Sequence, residues 1–297
     1  MSTQQTTVSL VLGSGGARGF AHIGVIHWLE ENGFKIESIS GSSMGALIGG
    51  VYAAGKLEDF SAWVQAIRKV DIVTFMDISW KRSGLVKGDK VISILTELVG
   101  DVMIEDLPIR YTAVATDILN EKEVWINSGK LFDGIRASIS LPLLLTPFRY
   151  KGIDLIDGGV LNPVPIAPTF NDKTDLTIAV NLSGKANGKG KSKTPLNNAA
   201  NGAKKDLFSA KITAFLDSFK DSDSALETPD NGVYDIAHQA FDAMQSTIAR
   251  QKLAAYPPDQ FVEIPRNACR MLEFDRATQM IELGYQAAQK SLQHLTR

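Results

Sequence analysis

The order of apolar runs and glycine turns near the start of the chain most restricts its fold. Residues 8–12 and 36–39 are short apolar runs typical of buried strands. Residues 20–32 carry apolar side chains at helical spacing, and residues 44–54 are a small-residue helical segment that stops before Gly55. A strand–helix–strand–helix order over so short a distance predicts a parallel sheet with right-handed crossovers.

Later segments extend this pattern into an α/β fold. Further strands are predicted at residues 111–116, 122–126, 153–156 and 176–182, and further helices at 131–140, 207–219 and 237–248. We therefore expect a three-layer α/β sandwich, with a mainly parallel central sheet and helices on both faces.

The predicted domain organisation is a single α/β domain over residues 1–297. About residues 184–205 the chain is rich in lysine, glycine and asparagine and has no acidic residue, which favours a flexible insertion. Residues 206–297 are expected to form a helical cap and C-terminal region.

Composition excludes several classes of function. A formal net charge of −2 provides no basic field for nucleic acid. A single cysteine, Cys269, allows neither an internal disulfide nor a cysteine-based zinc site, and no acidic or histidine cluster has metal-ligand spacing. We expect no metal and no cofactor. With no secretory leader or membrane-spanning window visible, we expect a cytoplasmic protein, and peripheral contact with the inner membrane surface stays open.

A G-x-S-x-G motif occupies residues 41–45, between the second strand and the small-residue helix. A sharp strand-to-helix turn lifts the Ser43 hydroxyl out of the sheet, and Gly41 and Gly45 remove the Cβ clashes of such a turn. N–H groups at the start of the helix favour developing negative charge. The pattern favours a nucleophilic Ser43, and the alternative is a glycine-rich turn with a helix-capping serine.

A second glycine-rich segment, residues 13–19, follows the first strand. A dinucleotide-binding loop would need glycine where Arg18 stands and an acidic residue at the end of the second strand, where the chain has serines and glycine. An anion cradle fits better, with Arg18 either adding positive charge or bracing the loop. If the first two strands are neighbours, this cradle lies beside Ser43 as an oxyanion hole.

Asp157, followed by Gly158 and Gly159, ends the apolar run at residues 153–156. An acidic residue with small neighbours at a strand end can approach another side chain closely. The alternative is an ordinary Asp-Gly-Gly turn.

Together, residues 15–19, 41–45 and 157–159 resemble the three signature blocks of patatin-like phospholipases. Weaker blocks at residues 136–142 and 159–165 are also similar to that family. The likeness is greatest to small bacterial members related to the lysophospholipase module of neuropathy target esterase. It covers about the first 185 residues and resumes near the end of the chain.

The resemblance implies a Ser–Asp dyad in which Asp157 accepts the Ser43 proton without a histidine. It implies an oxyanion hole formed by the loop residues Gly15, Gly16, Ala17, Arg18 and Gly19. Gly158, Gly159 and Asn162 would support the aspartate. A carboxylate with an ordinary pKa near 4 is a weak base for a serine, so desolvation of Asp157 would raise its basicity.

A histidine triad is the alternative within this chain, because Ser43, Asp157 and His238 follow the α/β-hydrolase order. However, His238 lies in a predicted amphipathic helix, whereas triad histidines usually lie on loops. His22 and His27 are expected to be structural, and His294 to be solvated.

The function implied by the resemblance is hydrolysis of lipid acyl esters by a phospholipase A or lysophospholipase through an acyl-enzyme intermediate. Acyl transfer or thioester cleavage at the same site, and a lipid-sensing regulatory protein without catalysis, are the alternatives. A set of apolar residues before Asp157 would line an acyl groove or belong to the core: Leu141, Leu143, Leu144, Leu145 and Phe148. Oligomeric state is not indicated by the sequence.

Overall fold

The computed structural model describes residues 5–66, 88–186 and 231–296, without the side chains of residues 231–235 and 238. Eight strands in these ranges form one sheet in the order β5-β6-β3-β2-β1-β7-β8, and β4 pairs with β3. The strands are β1 Thr7–Leu12, β2 Lys35–Ser42, β3 Arg110–Asp117, β4 Lys122–Ile126, β5 Phe148–Tyr150, β6 Ile153–Asp157, β7 Leu176–Gly184 and β8 Gln260–Pro265.

The sheet is mixed and mostly parallel. The pairs β1–β2, β2–β3, β1–β7 and β7–β8 are parallel, while β4, β5 and β6 join through antiparallel pairs. The α-helices are α1 Ala21–Glu31, α2 Met44–Ala53, α3 Leu57–Ala66, α4 Asp89–Val99, α5 Leu131–Ser138, α6 Asn231–Ala255 and α7 Ala277–Leu292.

Alternate side chains of β1 enter different cores, since successive strand residues point to opposite faces of a sheet. Val8, Leu10 and Leu12 belong to the large core, which includes residues of α1, α2 and α7. Val11 belongs to a small core with Ala249 of α6. Helices therefore cover both faces of the sheet, and the predicted three-layer α/β class is confirmed.

Helices α1 and α7 cross in backbone contact, although they lie at opposite ends of the chain. A Cβ on Gly24 would contact the Ile281 carbonyl, and a Cβ on Gly284 would contact the Ala21 carbonyl. Glycine at both positions lets the last helix pack directly on the first.

Some elements differ from the sequence-based expectations. The first helical segment begins as a 3₁₀ turn, Gly16–Phe20, and only then continues as α1. Strands β5 and β8 were not predicted, because β5 has only three residues and β8 is an edge strand with alternate exposed side chains. The predicted helix at 207–219 and most of the insertion at 184–205 lie outside the described residues, while Gly184 itself ends β7.

Candidate active site

Ser43 forms the turn between β2 and α2 in a conformation that few L-residues adopt. Its φ is 55° and its ψ is −123°. A Cβ on Gly41 would lie 2.5 Å from the Ala46 nitrogen, and a Cβ on Gly45 would contact the Leu12 carbonyl. Such backbone strain typically costs about 1–3 kcal/mol and is maintained only where the surroundings enforce it. The two glycines of the motif therefore make the turn possible.

Ser138, at the end of α5, holds the backbone of Ser43 by a hydrogen bond. The Ser43 N–H donates to the Ser138 hydroxyl at 2.9 Å, and that hydroxyl donates to the Val114 carbonyl at 2.6 Å. Ser138 is fully buried. This residue lies in the 136–142 block, but its contact with Ser43 was not predicted, since the two are 95 positions apart.

Asp157 reaches Ser43 across one intervening strand. Ser42 pairs with Val114 of β3, and Ala115 of β3 pairs with Asp157, so that Ser43 and Asp157 lie at the same level of the sheet. The Ser43 hydroxyl donates to Asp157 Oδ2 at 2.5 Å. The residues predicted to form a dyad are therefore in direct hydrogen-bond contact.

The turn after Asp157 needs its two glycines. A Cβ on Gly158 would collide with the Val114 carbonyl and lie 2.7 Å from Ser42 Oγ. The Gly159 N–H donates to Asp157 Oδ1 at 2.7 Å, and the Asp157 N–H donates to the Ser140 carbonyl at 2.9 Å. Both carboxylate oxygens are thus oriented, one by Gly159 and one by Ser43.

Burial changes the acidity of Asp157. The side chain is completely buried, and loss of hydration raises the pKa of its carboxyl from the ordinary 3.8 to about 7, although hydrogen bonds from Ser43 and Gly159 act in the opposite direction. A carboxylate with this pKa is a much stronger base near neutral pH than an exposed aspartate.

Arg136 supports the segment that leads to Asp157. Its buried guanidinium donates to the Ser140 hydroxyl at 2.6 Å and to the Thr146 carbonyl at 3.1 Å. Because the Ser140 carbonyl accepts the Asp157 N–H, these contacts connect Arg136 to the backbone of the aspartate.

The glycine-rich loop follows β1 and lies beside Ser43, since β1 and β2 are adjacent. The N–H groups of Gly15 and Gly16 make no hydrogen bond to any other described residue. The Ala17 N–H differs, because it donates to the Met271 carbonyl at 2.8 Å. Ala17 therefore leaves the predicted set of oxyanion donors. Gly19 packs so closely on the Met44 side chain that a Cβ would not fit.

Arg18 braces this loop instead of facing the nucleophile. Its buried guanidinium donates to the Gly15 carbonyl at 3.1 Å, to the Arg266 carbonyl at 2.6 Å and to Asp242 Oδ1 at 2.7 Å. Of the two roles considered for Arg18, the contacts favour bracing, and its side chain supplies no positive charge to the cavity.

An apolar cavity of about 200 Å³ opens beside Ser43. Its border next to the nucleophile consists of Gly16, Ser43 and Met44. Most of the other walls come from α3, α4 and the leucine segment, residues 141–145. These walls comprise Phe20, Leu47, Phe60, Trp63, Val64, Val91, Ile94, Leu95, Ile139, Leu141, Leu144, Leu145, Met271, Leu272 and Phe274. Such a cavity can hold a hydrocarbon chain next to a nucleophile.

Only some residues of the leucine segment line the cavity. Leu141, Leu144 and Leu145 line the cavity, whereas Leu143 is about half exposed and Phe148 belongs to β5. The stretch with Phe75, Met76, Trp80, Lys81 and Arg82 combines apolar and basic side chains, which suits a lid touching lipid head groups and an ordinary helix cap equally well. These residues lie outside the described ones.

The predicted support residue Asn162 acts through a polar network. Its N–H donates to the Gly158 carbonyl at 2.8 Å, and its side-chain amide donates to Glu123 Oε2 at 2.8 Å. Glu123 also accepts from Lys252 of α6 at 2.6 Å. Glu123 and Lys252 were not predicted, because no local pattern connects residues 129 positions apart.

The histidines occupy different environments. His22 Nε2 lies 2.8 Å from the Gly13 carbonyl, and burial lowers the pKa of its imidazole to about 4. His27 contacts Glu58, and His294 is exposed. His238 belongs to α6, but its side chain is not among those described.

Within the described ranges, no group of three or more His, Cys, Asp or Glu side chains could hold a metal ion. In the same part of the chain, no helix is long and apolar enough to span a bilayer.

Known proteins resemble this chain over much of its length. Residues 10–170 match the family description "Patatin-like phospholipase". A protein described as an uncharacterized NTE family protein of Mycobacterium tuberculosis is 38% identical, over 96% of this chain and 91% of that protein. The chain belongs to the patatin-like phospholipase family. Family membership makes it an ester hydrolase of lipids.

Other matches cover only part of the matched protein. The lysophospholipase NTE1 of Saccharomyces cerevisiae is 33% identical over 54% of this chain, which spans 10% of that protein. The structure of VipD from Legionella pneumophila aligns with 98% of this chain and 67% of its own, at 15% identity and a TM-score of 0.46.

Proposed function

We propose that this patatin-like phospholipase hydrolyses acyl esters of phospholipids or lysophospholipids through an acyl–Ser43 intermediate, with Asp157 as general base. The observation that carries the proposal is the 2.5 Å hydrogen bond from Ser43 Oγ to Asp157 Oδ2 at the edge of an apolar cavity. A nucleophile beside a correctly placed base is the arrangement that covalent ester hydrolysis requires.

In the first half-reaction, Asp157 takes the Ser43 proton while Ser43 Oγ forms a bond to the carbonyl carbon of the substrate. The carbonyl oxygen becomes an oxyanion, which accepts hydrogen bonds from the N–H groups of Gly15, Gly16 and Met44. When the tetrahedral intermediate collapses, the bond to the leaving oxygen breaks. Protonated Asp157 gives its proton to that oxygen, and the alcohol or lysolipid departs.

In the second half-reaction, water attacks the acyl–Ser43 ester and Asp157 takes the proton of that water. Collapse of the new intermediate releases the fatty acid, and the proton returns from Asp157 to Ser43 Oγ. The raised pKa of Asp157 supports this exchange, because a group with a pKa of about 7 both accepts and donates protons near neutral pH.

Labelling with a fluorophosphonate probe tests the nucleophile. Wild type should become labelled at Ser43, and Ser43→Ala should lose both labelling and p-nitrophenyl ester hydrolysis, by about 10⁴–10⁶-fold in kcat. Ser42→Ala is the matched control, since it removes the neighbouring hydroxyl, which has no hydrogen-bond partner among the described residues. An unlabelled wild type would instead favour a lipid-sensing protein without catalysis.

Two further measurements test the base and the reaction class. Asp157→Asn should remove hydrolysis and His238→Ala should retain it, whereas loss of activity in folded His238→Ala would favour the histidine triad. A panel of lysophospholipids, diacyl phospholipids and acyl thioesters, with water, alcohol and thiol as acceptors, would separate hydrolysis from acyl transfer.

A further inference from the structure

Helix α6 carries a buried amide between the two loops of the candidate site. Gln245 is 1% exposed, and its Nε2 donates to Ser14 Oγ at 3.0 Å. A Cβ on Gly159 would collide with both this nitrogen and Ser14 Oγ. Gln245 thus touches the glycine-rich loop and the aspartate loop at the point where they approach each other. It lies beyond residues 10–170, the part that matches the family.

Each of its two neighbours lies within two residues of a group of the proposed mechanism. Ser14 precedes Gly15, and its N–H is held by the Pro163 carbonyl at 2.8 Å. Gly159 directs its own N–H to Asp157 Oδ1 at 2.7 Å. A displacement of the Gln245 amide would therefore move the oxyanion donors and the base relative to Ser43.

The same face of α6 makes two further contacts with these loops. Asp242, Gln245, Ala249 and Lys252 follow each other at helical spacings. Asp242 accepts from Arg18 in the glycine-rich loop, and Lys252 reaches Asn162 of the aspartate loop through Glu123. Gln245 lies between Asp242 and Lys252 along α6, so polar contacts hold the helix against the two loops on both sides of Gln245.

The chemistry of Gln245 also requires an explanation. Its Oε1 is buried and has no hydrogen-bond partner among the described residues. A methionine would fill a similar volume without placing an unpaired carbonyl in the interior, where such a group is costly. The amide is therefore poorly explained by packing alone, and its donated hydrogen bond to Ser14 is the property that methionine lacks.

We propose that Gln245 is a positioning residue for ester hydrolysis, which sets the spacing between the oxyanion donors of the glycine-rich loop and Asp157. This inference rests on the proposed Ser43–Asp157 mechanism. Gln245 does not contact the substrate, and it acts through Ser14 and Gly159.

The test compares the steady-state kinetics of wild type, Gln245→Met, Ser14→Ala and the double variant on a p-nitrophenyl acyl ester. Gln245→Met should lower kcat about 10–100-fold, because small displacements of catalytic groups have effects of this size, and KM should stay within about twofold. Ser14→Ala should have a similar effect. The double variant should be no slower than the slower single variant, since both remove one hydrogen bond.

The pH profile gives a readout that a packing role would not change. If Gly159 no longer directs its N–H well, the ionised form of Asp157 loses a stabilising contact. The acid limb of kcat/KM should then move to higher pH in Gln245→Met. Met244→Ala is the matched control, because the adjacent Met244 is 56% exposed on the same helix and should keep wild-type kinetics.

Unchanged kcat and an unchanged acid limb in folded Gln245→Met, with only a lower melting temperature, would overturn the proposal. If Gln245→Met does not fold, Ser14→Ala decides the question by the same two measurements. Fluorophosphonate labelling separates a failure of the proposed Ser43–Asp157 mechanism from a failure of the Gln245 inference. A wild type without label at Ser43 refutes the mechanism and this inference together, whereas labelled variants with wild-type rates refute the inference alone.

Discussion

Replacing Asp157 by asparagine should remove hydrolysis and, at alkaline pH, stabilise the fold. Asparagine has nearly the same shape and can keep both contacts, accepting from Gly159 at Oδ1 and donating to Ser43 Oγ from Nδ2. What it removes is a buried negative charge, which is costly without a cationic partner.

The size of this effect follows from the acidity of the carboxyl. Burial raises the pKa of Asp157 from 3.8 in the unfolded chain to about 7 in the folded protein. The folded state therefore binds the proton more tightly, and the associated stability is fully present below pH 3.8 and is lost as pH rises to 7. A shift of one pKa unit corresponds to about 1.4 kcal/mol, so the free energy of unfolding falls by about 4 kcal/mol in total as the pH rises through this range. Above it, the contribution of Asp157 to the free energy of unfolding no longer changes with pH.

Urea denaturation of both proteins at pH 5 and pH 8 measures this difference. The advantage of Asp157→Asn in free energy of unfolding should be larger at pH 8 by about 3 kcal/mol. Asp154→Asn is the matched control, since this carboxylate lies on the same strand but is exposed and pairs with Arg149. An advantage that does not change between the two pH values would refute the argument that Asp157 is protonated by burial.

Three other predictions concern catalysis and the cavity. The kcat/KM of wild type should rise with pH to a plateau, with a midpoint near 7, because Asp157 must be ionised to act as base; a midpoint near 4 in the pH–rate profile would contradict this. Gly16→Ala should reduce kcat at least about 100-fold, since its φ is +56° and a Cβ would meet the Met271 carbonyl. Gly33→Ala, at φ +80° with no neighbour within 4 Å, should cost only about 1 kcal/mol in thermal or urea unfolding and keep full activity. Leu144→Trp should reduce the preference for dodecanoyl over butyryl esters by about tenfold, whereas Leu143→Trp, outside the cavity, should leave this preference unchanged in the same assay.

Much of the fold could be predicted from local sequence patterns. The alternation of apolar strands, glycine turns and amphipathic helices depends on side-chain periodicity. The predicted segments that fall within the described residues appear near their predicted positions. Strand β5 escaped prediction because three residues carry too little periodicity, and β6 was predicted as a strand without its antiparallel direction. Strand direction depends on distant pairing.

Part of the candidate site could also be predicted. The turn at Ser43 is a local requirement, since its φ of 55° and the close approach of Gly41 to Ala46 arise within a few adjacent residues. The need for glycine after Asp157 is not local, because a Cβ there would collide with distant residues such as Val114 and Gln245. The contact between Ser43 and Asp157 was predicted only from the resemblance to a family. The two residues are 114 positions apart, so no local sequence pattern indicates that they touch.

The sequence by itself thus determined the α/β order, the serine turn and the glycine-rich loop, since each depends on the conformational limits of a few adjacent residues. The tertiary structure decided what surrounds them. In the folded chain Arg18 donates to Asp242, and the Ala17 N–H donates to the Met271 carbonyl. Gln245 lies against Ser14, although the two are 231 positions apart. It also decided the acidity of Asp157, because a pKa depends on hydration and neighbouring charges, and burial is a property of the packed molecule.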